Sequence, residues 1–128
     1  MKGLSFNAEY KGHNSNITTK LSVYFFLEGE AIISYCPALD LSAYGKSVNE
    51  AKDAFTKAFT IYITYCMNKN TLADDLRSHG WELKSLKHRK VKAPTIPEML
   101  KRNPILKDII YNKEYQKSDE LVEIPAFV

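Results

Sequence analysis

A chain of 128 residues, 45% hydrophobic and 26% charged, can bury one core without metal or disulfide staples but has no room for a second full domain. No apolar run approaches the ~20 residues of a membrane-spanning helix, and MKGLSFNAEYKGHNSN has no apolar core of signal-peptide length, so a cytoplasmic protein with reduced Cys36 and Cys66 is expected. The formal charge of +3 is concentrated: residues 84–92 carry 5 basic and no acidic side chains, against 8 basic and 9 acidic in 1–83 and 5 basic and 6 acidic in 93–128.

In chain order, Ile17 to Leu27 alternates Ile17, Thr19, Leu21, Val23, Phe25 and Leu27 against Thr18, Lys20, Ser22, Tyr24 and Phe26, the pattern of a half-buried strand. Glu28-Gly29-Glu30 supplies a turn, Ala31 to Tyr35 a returning antiparallel strand, and Leu41 to Tyr44 a short third strand. Gly45 then stands where a positive φ would turn the chain into a helix. Ser47 with Glu50 forms a capping box that starts this helix at Val48. Val48, Ala51, Phe55, Ala58, Phe59, Tyr62 and Cys66 recur at steps of three and four on one face, which predicts a helix over 48–67 lying on a sheet, with Phe55, Phe59 and Tyr62 against Leu21, Val23, Phe25 and Ile33.

Past a polar break at Asn68-Lys69-Asn70, Thr71 and Asp74 cap a shorter helix over Leu72 to His79, closed by Gly80, and Trp81 to Leu86 reads as a fourth strand extending to about residue 90. Thr95 with Pro97 and Asn103 with Pro104 mark two helix starts; Pro104 inside one continuous helix would cost about 3 kcal/mol, so two short helices are expected. The apolar run Leu121 to Val128 contains Pro125, which suits an edge strand or an extended docking segment, in its own chain or in a second copy as a homodimer. The expected fold is α+β: a three- to four-stranded antiparallel sheet with one long helix across one face over 1–92, and a C-terminal extension of short helices and an edge strand over 93–128.

Candidate chemistry is sparse. His13, His79 and His88 read as surface or helix-end histidines, and Cys36 and Cys66, without a CxxC partner, as small buried hydrophobes. Asp40, Glu50 and Asp53 are close enough in sequence to suggest a metal-binding carboxylate cluster, but Glu50 is used in the cap and Asp53 falls on the solvent face. No cofactor, no metal and no catalytic group is expected. The run KSLKHRKVK could neutralise phosphates through Lys87, Arg89 and Lys90; a lysine-protected edge strand explains it as economically.

Pro37 to Ala51, PALDLSAYGKSVNEA, resembles the N-terminal domain of the HicB family of toxin–antitoxin antitoxins, with Pro37, Leu39, Leu41, Gly45, Ser47, Glu50, Ala51 and Ala58 at the family's spacing. The resemblance covers roughly residues 17 to 70; Tyr35-Cys36 replaces the aromatic often found before the proline, and Lys46 the acidic residue often found after the glycine. It implies a fold like part of ribonuclease H and a non-enzymatic role, neutralising a small HicA-type mRNA-cleaving toxin by protein–protein contact. The family's DNA-binding C-terminal module has no counterpart after Ala93, where the order reads helix, break, helix, strand. A metal-dependent nuclease of ribonuclease H-like fold and a nucleic-acid-binding protein are the competing readings. Against a basic toxin, acidic and hydrogen-bonding groups would face the partner, with Asp40, Tyr44 and Asp53 the candidates.

Overall fold

The computed structural model describes residues 16–85 and 90–125. Four antiparallel strands form the main sheet in the order β3-β2-β1-β6. β1 (Asn16–Glu28), β2 (Ala31–Cys36) and β3 (Leu41–Gly45) follow one another as hairpins, with Gly29 at φ +63° making the first tight turn. The long helix α1 (Val48–Lys69) crosses one face, over β3 and β2. Then come α2 (Leu72–Ser78), β4 (Glu82–Ser85), β5 (Lys90–Lys92), α3 (Ile96–Leu100), α4 (Pro104–Asn112) and β6 (Tyr115–Pro125).

The register fixes which side chains share a face. Phe25, Ser34 and Ala43 are opposite one another on the α1 side, where the Ser34 hydroxyl donates to the Ala51 carbonyl at 2.9 Å and Lys52 lies over the Phe25 ring. Phe26, Ile33, Tyr44 and Tyr115 share the other side. Tyr24 and Phe26 are buried there because the α3–α4 segment covers them: Asn103 at the start of α4 donates to the Tyr35 hydroxyl, and Lys113 just beyond its end lies over the Phe26 ring. Leu106 and Ile109 of α4 complete that layer of the core.

Several expectations change in detail. The fourth strand of the sheet is β6, paired with β1 from Asn16↔Pro125 to Phe26↔Tyr115, so the terminal segment completes its own chain's sheet. β4 instead pairs with β5 in a separate two-stranded hairpin, which packs Leu83 and Val91 on the core. Gly45 does not carry a positive φ; a Cβ there would stand 2.6 Å from the Ala51 nitrogen, so glycine is required because α1 begins so close to the strand end. Thr71 occupies the N-cap of α2 without a side-chain capping bond. The two C-terminal helices separate as Pro104 requires, with a full capping box at Thr95–Glu98 and Asn103 capping α4.

The buried stripe of α1 is Ala51, Phe55, Phe59, Ile63 and Cys66, with Tyr62 half-buried beside it. Ile63 takes the central place because Tyr62 turns its hydroxyl to the Asp75 carboxylate on α2. Phe55→Ala should lower unfolding free energy by about 3–5 kcal/mol and Ile63→Ala by about 2–5, while Ile61→Ala, at an exposed position, should stay within about 0.5. Urea denaturation of the three variants checks the assignment, and equal losses at Ile61 and Ile63 would contradict it.

Candidate functional site

The β2–β3 turn, Pro37–Asp40, anchors one end of the molecule. Ala38 and Leu39 are buried, and the Trp81 indole donates to the Ala38 carbonyl at 2.7 Å, fixing the turn to the chain after α2. Asp40 closes the turn at φ 50°, a left-handed conformation that aspartate tolerates better than most residues. Its carboxylate accepts from the Tyr35 hydroxyl at 2.7 Å, the Tyr35 oxygen accepts from the Asn103 amide at 2.9 Å, and the Asn103 carbonyl oxygen accepts from the Leu106 N–H at 3.0 Å. Burial pushes the Tyr35 phenol well above its ordinary range, so it remains a donor to Asp40.

Beside this relay lies a cleft of about 340 Å³ whose polar lining is Asp40, Ser78, His79, Arg102 and Asn103. The end of the Arg102 side chain lies against Gly80, whose φ of +92° is a conformation that residues with a Cβ rarely adopt. The neighbouring Ser78 and His79 do not form a nucleophile–base pair. His79 Nδ1 is 2.8 Å from the Asp75 carbonyl, which can only accept, so Nδ1 carries the proton; the Ser78 hydroxyl is itself donated to that carbonyl at 2.6 Å.

At the opposite end of β3, a groove of about 610 Å³ is lined by Glu28, Glu30, Tyr44 and Glu50, with Lys46 the single cation. Tyr44 is 71% exposed at its edge. The groove exists because the β1–β2 turn, the end of β3 and the start of α1 meet there: Ser47 accepts from the Glu50 N–H at 3.1 Å, and the Glu50 carboxylate reaches back to the Lys46 N–H at 3.4 Å. Three carboxylates and one exposed aromatic give this corner an acidic character.

The residues expected to face a partner are divided by this arrangement. Tyr44 lines the acidic groove, whereas Asp53, exposed on α1 three residues beyond Glu50, is outside its lining. Asp40 lies at the other end of β3, about 13 Å away along the strand, with its carboxylate held by Tyr35. Asp40, Glu50 and Asp53 do not converge, and among the described residues no three His, Cys, Asp or Glu side chains are placed to hold a metal. Lys87 and Arg89, like His13 and His88, lie outside the described residues; Lys90 opens β5, and its side chain also lies outside them. In the sequence Glu28 and Glu30 carry only a turn signal, and nothing there points to the cleft with Arg102 and Asn103. The cleft's one sequence signal is the Asn-Pro helix start, which puts Asn103 at a cap and says nothing of its second bond to Tyr35.

Among the described residues, no helix is long and apolar enough to cross a membrane. Comparison with protein-family models, curated proteins and solved structures finds no match to this chain.

Burial raises the Cys36 thiol from its ordinary 9.0 to about 12 and the Tyr24 phenol from 10.0 to about 12. Both groups keep their protons in the folded chain at a pH where the unfolded chain has lost them. Their contribution is complete below about pH 9 and is lost as pH rises towards 12. The melting temperature should therefore fall between these limits, and Tyr24→Phe should flatten the upper part of the fall. An unchanged alkaline slope in that variant would assign the loss elsewhere.

Proposed function

We propose that the protein is a HicB-like antitoxin, or a binding protein derived from one, that acts in the cytoplasm by covering a small basic mRNA-cleaving toxin rather than by catalysis. The observation that carries this reading is the resemblance over Pro37 to Ala51. The structure supports it by giving those residues connected tasks. Pro37 and Leu39 build a buried turn, Gly45 permits the close start of α1, Ser47 and Glu50 cap the helix, and Ala51 lies under Ser34. The partner's chemistry is read from the acidic groove, where Tyr44, Glu28, Glu30 and Glu50, with the exposed Asp53 three residues further along α1, suit a basic surface carrying an aliphatic or guanidinium group for the tyrosine.

The test is a pull-down of a small basic protein of the HicA type, sought first among the genes neighbouring this one. Tyr44→Ala should weaken binding by about tenfold or more, as expected for an aromatic anchor. The Asp53→Lys variant should slow association most at low salt. Asp40→Lys, whose native side chain is engaged by Tyr35 at the far end of β3, should have the smaller effect. Full retention of binding in Tyr44→Ala and Asp53→Lys together would remove the acidic end as the contact. Salt-sensitive RNA or DNA binding that is lost on neutralising Lys87, Arg89 and Lys90 would replace the antitoxin reading with a nucleic-acid-binding one.

A further inference from the structure

The cleft where the β2–β3 turn, the end of α2 and the α3–α4 junction meet holds opposite charges that do not pair. Asp40 and Arg102 both line it, yet among the described residues neither forms an ion pair. Glu98, one turn before Arg102, is engaged by Thr95 instead. The unused bonding positions fall into two sets. Arg102 keeps its guanidinium N–H groups, and Asn103 keeps the second N–H of its amide, the first being donated to Tyr35. Against these donors stand three acceptors. Asp40 has a second carboxylate oxygen, Tyr35 occupying the first; His79 has Nε2, its proton being on Nδ1 toward the Asp75 carbonyl; and Ser78 has its hydroxyl oxygen, whose own proton goes to that carbonyl. Met99 and Ile105 add apolar lining, and Ile105 is 52% exposed.

We propose that this cleft binds a free α-amino acid with an aliphatic side chain, its carboxylate on Arg102 and Asn103 and its ammonium on Asp40, His79 and Ser78. A simple anion would be repelled by Asp40 and a simple cation by Arg102, so the two charges together select a ligand that carries both. The guanidinium fork suits a carboxylate, and a primary ammonium has one proton for each of the three acceptors. The aliphatic side chain covers Ile105 and meets Met99, which takes apolar surface out of water. Size agrees: at ~30 Å³ for each water-sized group, 340 Å³ holds about ten non-hydrogen atoms, the size of leucine or methionine.

Both ends of the site are held before any ligand arrives. Asp40 is fixed through Tyr35 to Asn103, which caps α4, and Gly80, having no Cβ, leaves the space that the end of Arg102 occupies. The inference is independent of the antitoxin reading, since it uses no contact with a toxin and none of the acidic groove.

Titration of the isotope-labelled full chain with L-leucine, followed by NMR, tests it. Leucine should bind with a dissociation constant of about 1 mM or below, and the backbone amide signals that move should include those of Gly80, Arg102 and Asn103. Leucinamide, which lacks the carboxylate, and isocaproate, which lacks the ammonium, should each bind at least about tenfold more weakly. Arg102→Gln should weaken leucine about tenfold and leave leucinamide unchanged. Asp40→Asn, which keeps an acceptor for Tyr35 and tolerates the left-handed backbone, should weaken leucine and leave isocaproate unchanged or tighter. No movement with leucine up to about 10 mM would overturn the proposal. So would equal affinity for leucine and isocaproate, the mark of a plain anion site; that comparison uses the wild type and stands even if a variant fails to fold.

Discussion

The fold depends on covering β1 from both sides. From Val23 to Phe26 the strand has four consecutive large apolar side chains, all buried, so neither of its faces can be left to water. Antiparallel sheets commonly bury one face and solvate the other. Here α1 closes over Val23 and Phe25, and α3 with α4 closes over Tyr24 and Phe26. Both edges of the strand are used as well, by β2 and β6. The lysines at the rims, Lys52 over Phe25 and Lys113 over Phe26, extend the cover with their stems while their charges remain near solvent.

Close approach on the α1 side relies on small residues. Glycine at 45, serine at 34 and alanine at 51 let the helix start directly against the strands, and the Ser34 hydroxyl satisfies itself on an α1 carbonyl in the process. On the other side, the attachment is polar. Asn103 both caps α4 and holds the Tyr35 hydroxyl, which in turn holds Asp40, so the C-terminal helices and the β2–β3 turn are positioned by one chain of hydrogen bonds. The cleft and the acidic groove lie at opposite ends of β3 because its two ends are built by these different devices.

Much of the first half was legible because its signals are local. Strand alternation, the Gly29 turn, the Ser47 cap and the Pro104 break each arise within a few residues and survive in the structure. The errors are tertiary. Alternation alone could not show that Tyr24 and Phe26, on the face expected to meet solvent, are buried by helices some 80 residues away in sequence. Pairing β6 rather than β4 with β1 is a long-range choice that no local pattern specifies. The difference between Tyr62 and Ile63 rests on one hydroxyl finding Asp75 across a turn. The acidic groove gathers Glu28 and Glu30 with Tyr44 and Glu50 from three elements, so no spacing announced it.

β6 contains two adjacent residues on faces that suit neither. Glu120 points to the α1 side and is only 6% exposed; one carboxylate oxygen accepts from Ser118, and the other has no hydrogen-bond partner among the described residues. Leu121 points to the opposite side and is 57% exposed. A slip of one residue against β1 would exchange the two, but it would also turn Val122 and Ile124 out of the core, and these decide the register. The strand is thus held by its last apolar residues against the local preference of its middle. The pairing is therefore set at the end of β6 and tolerated in its middle.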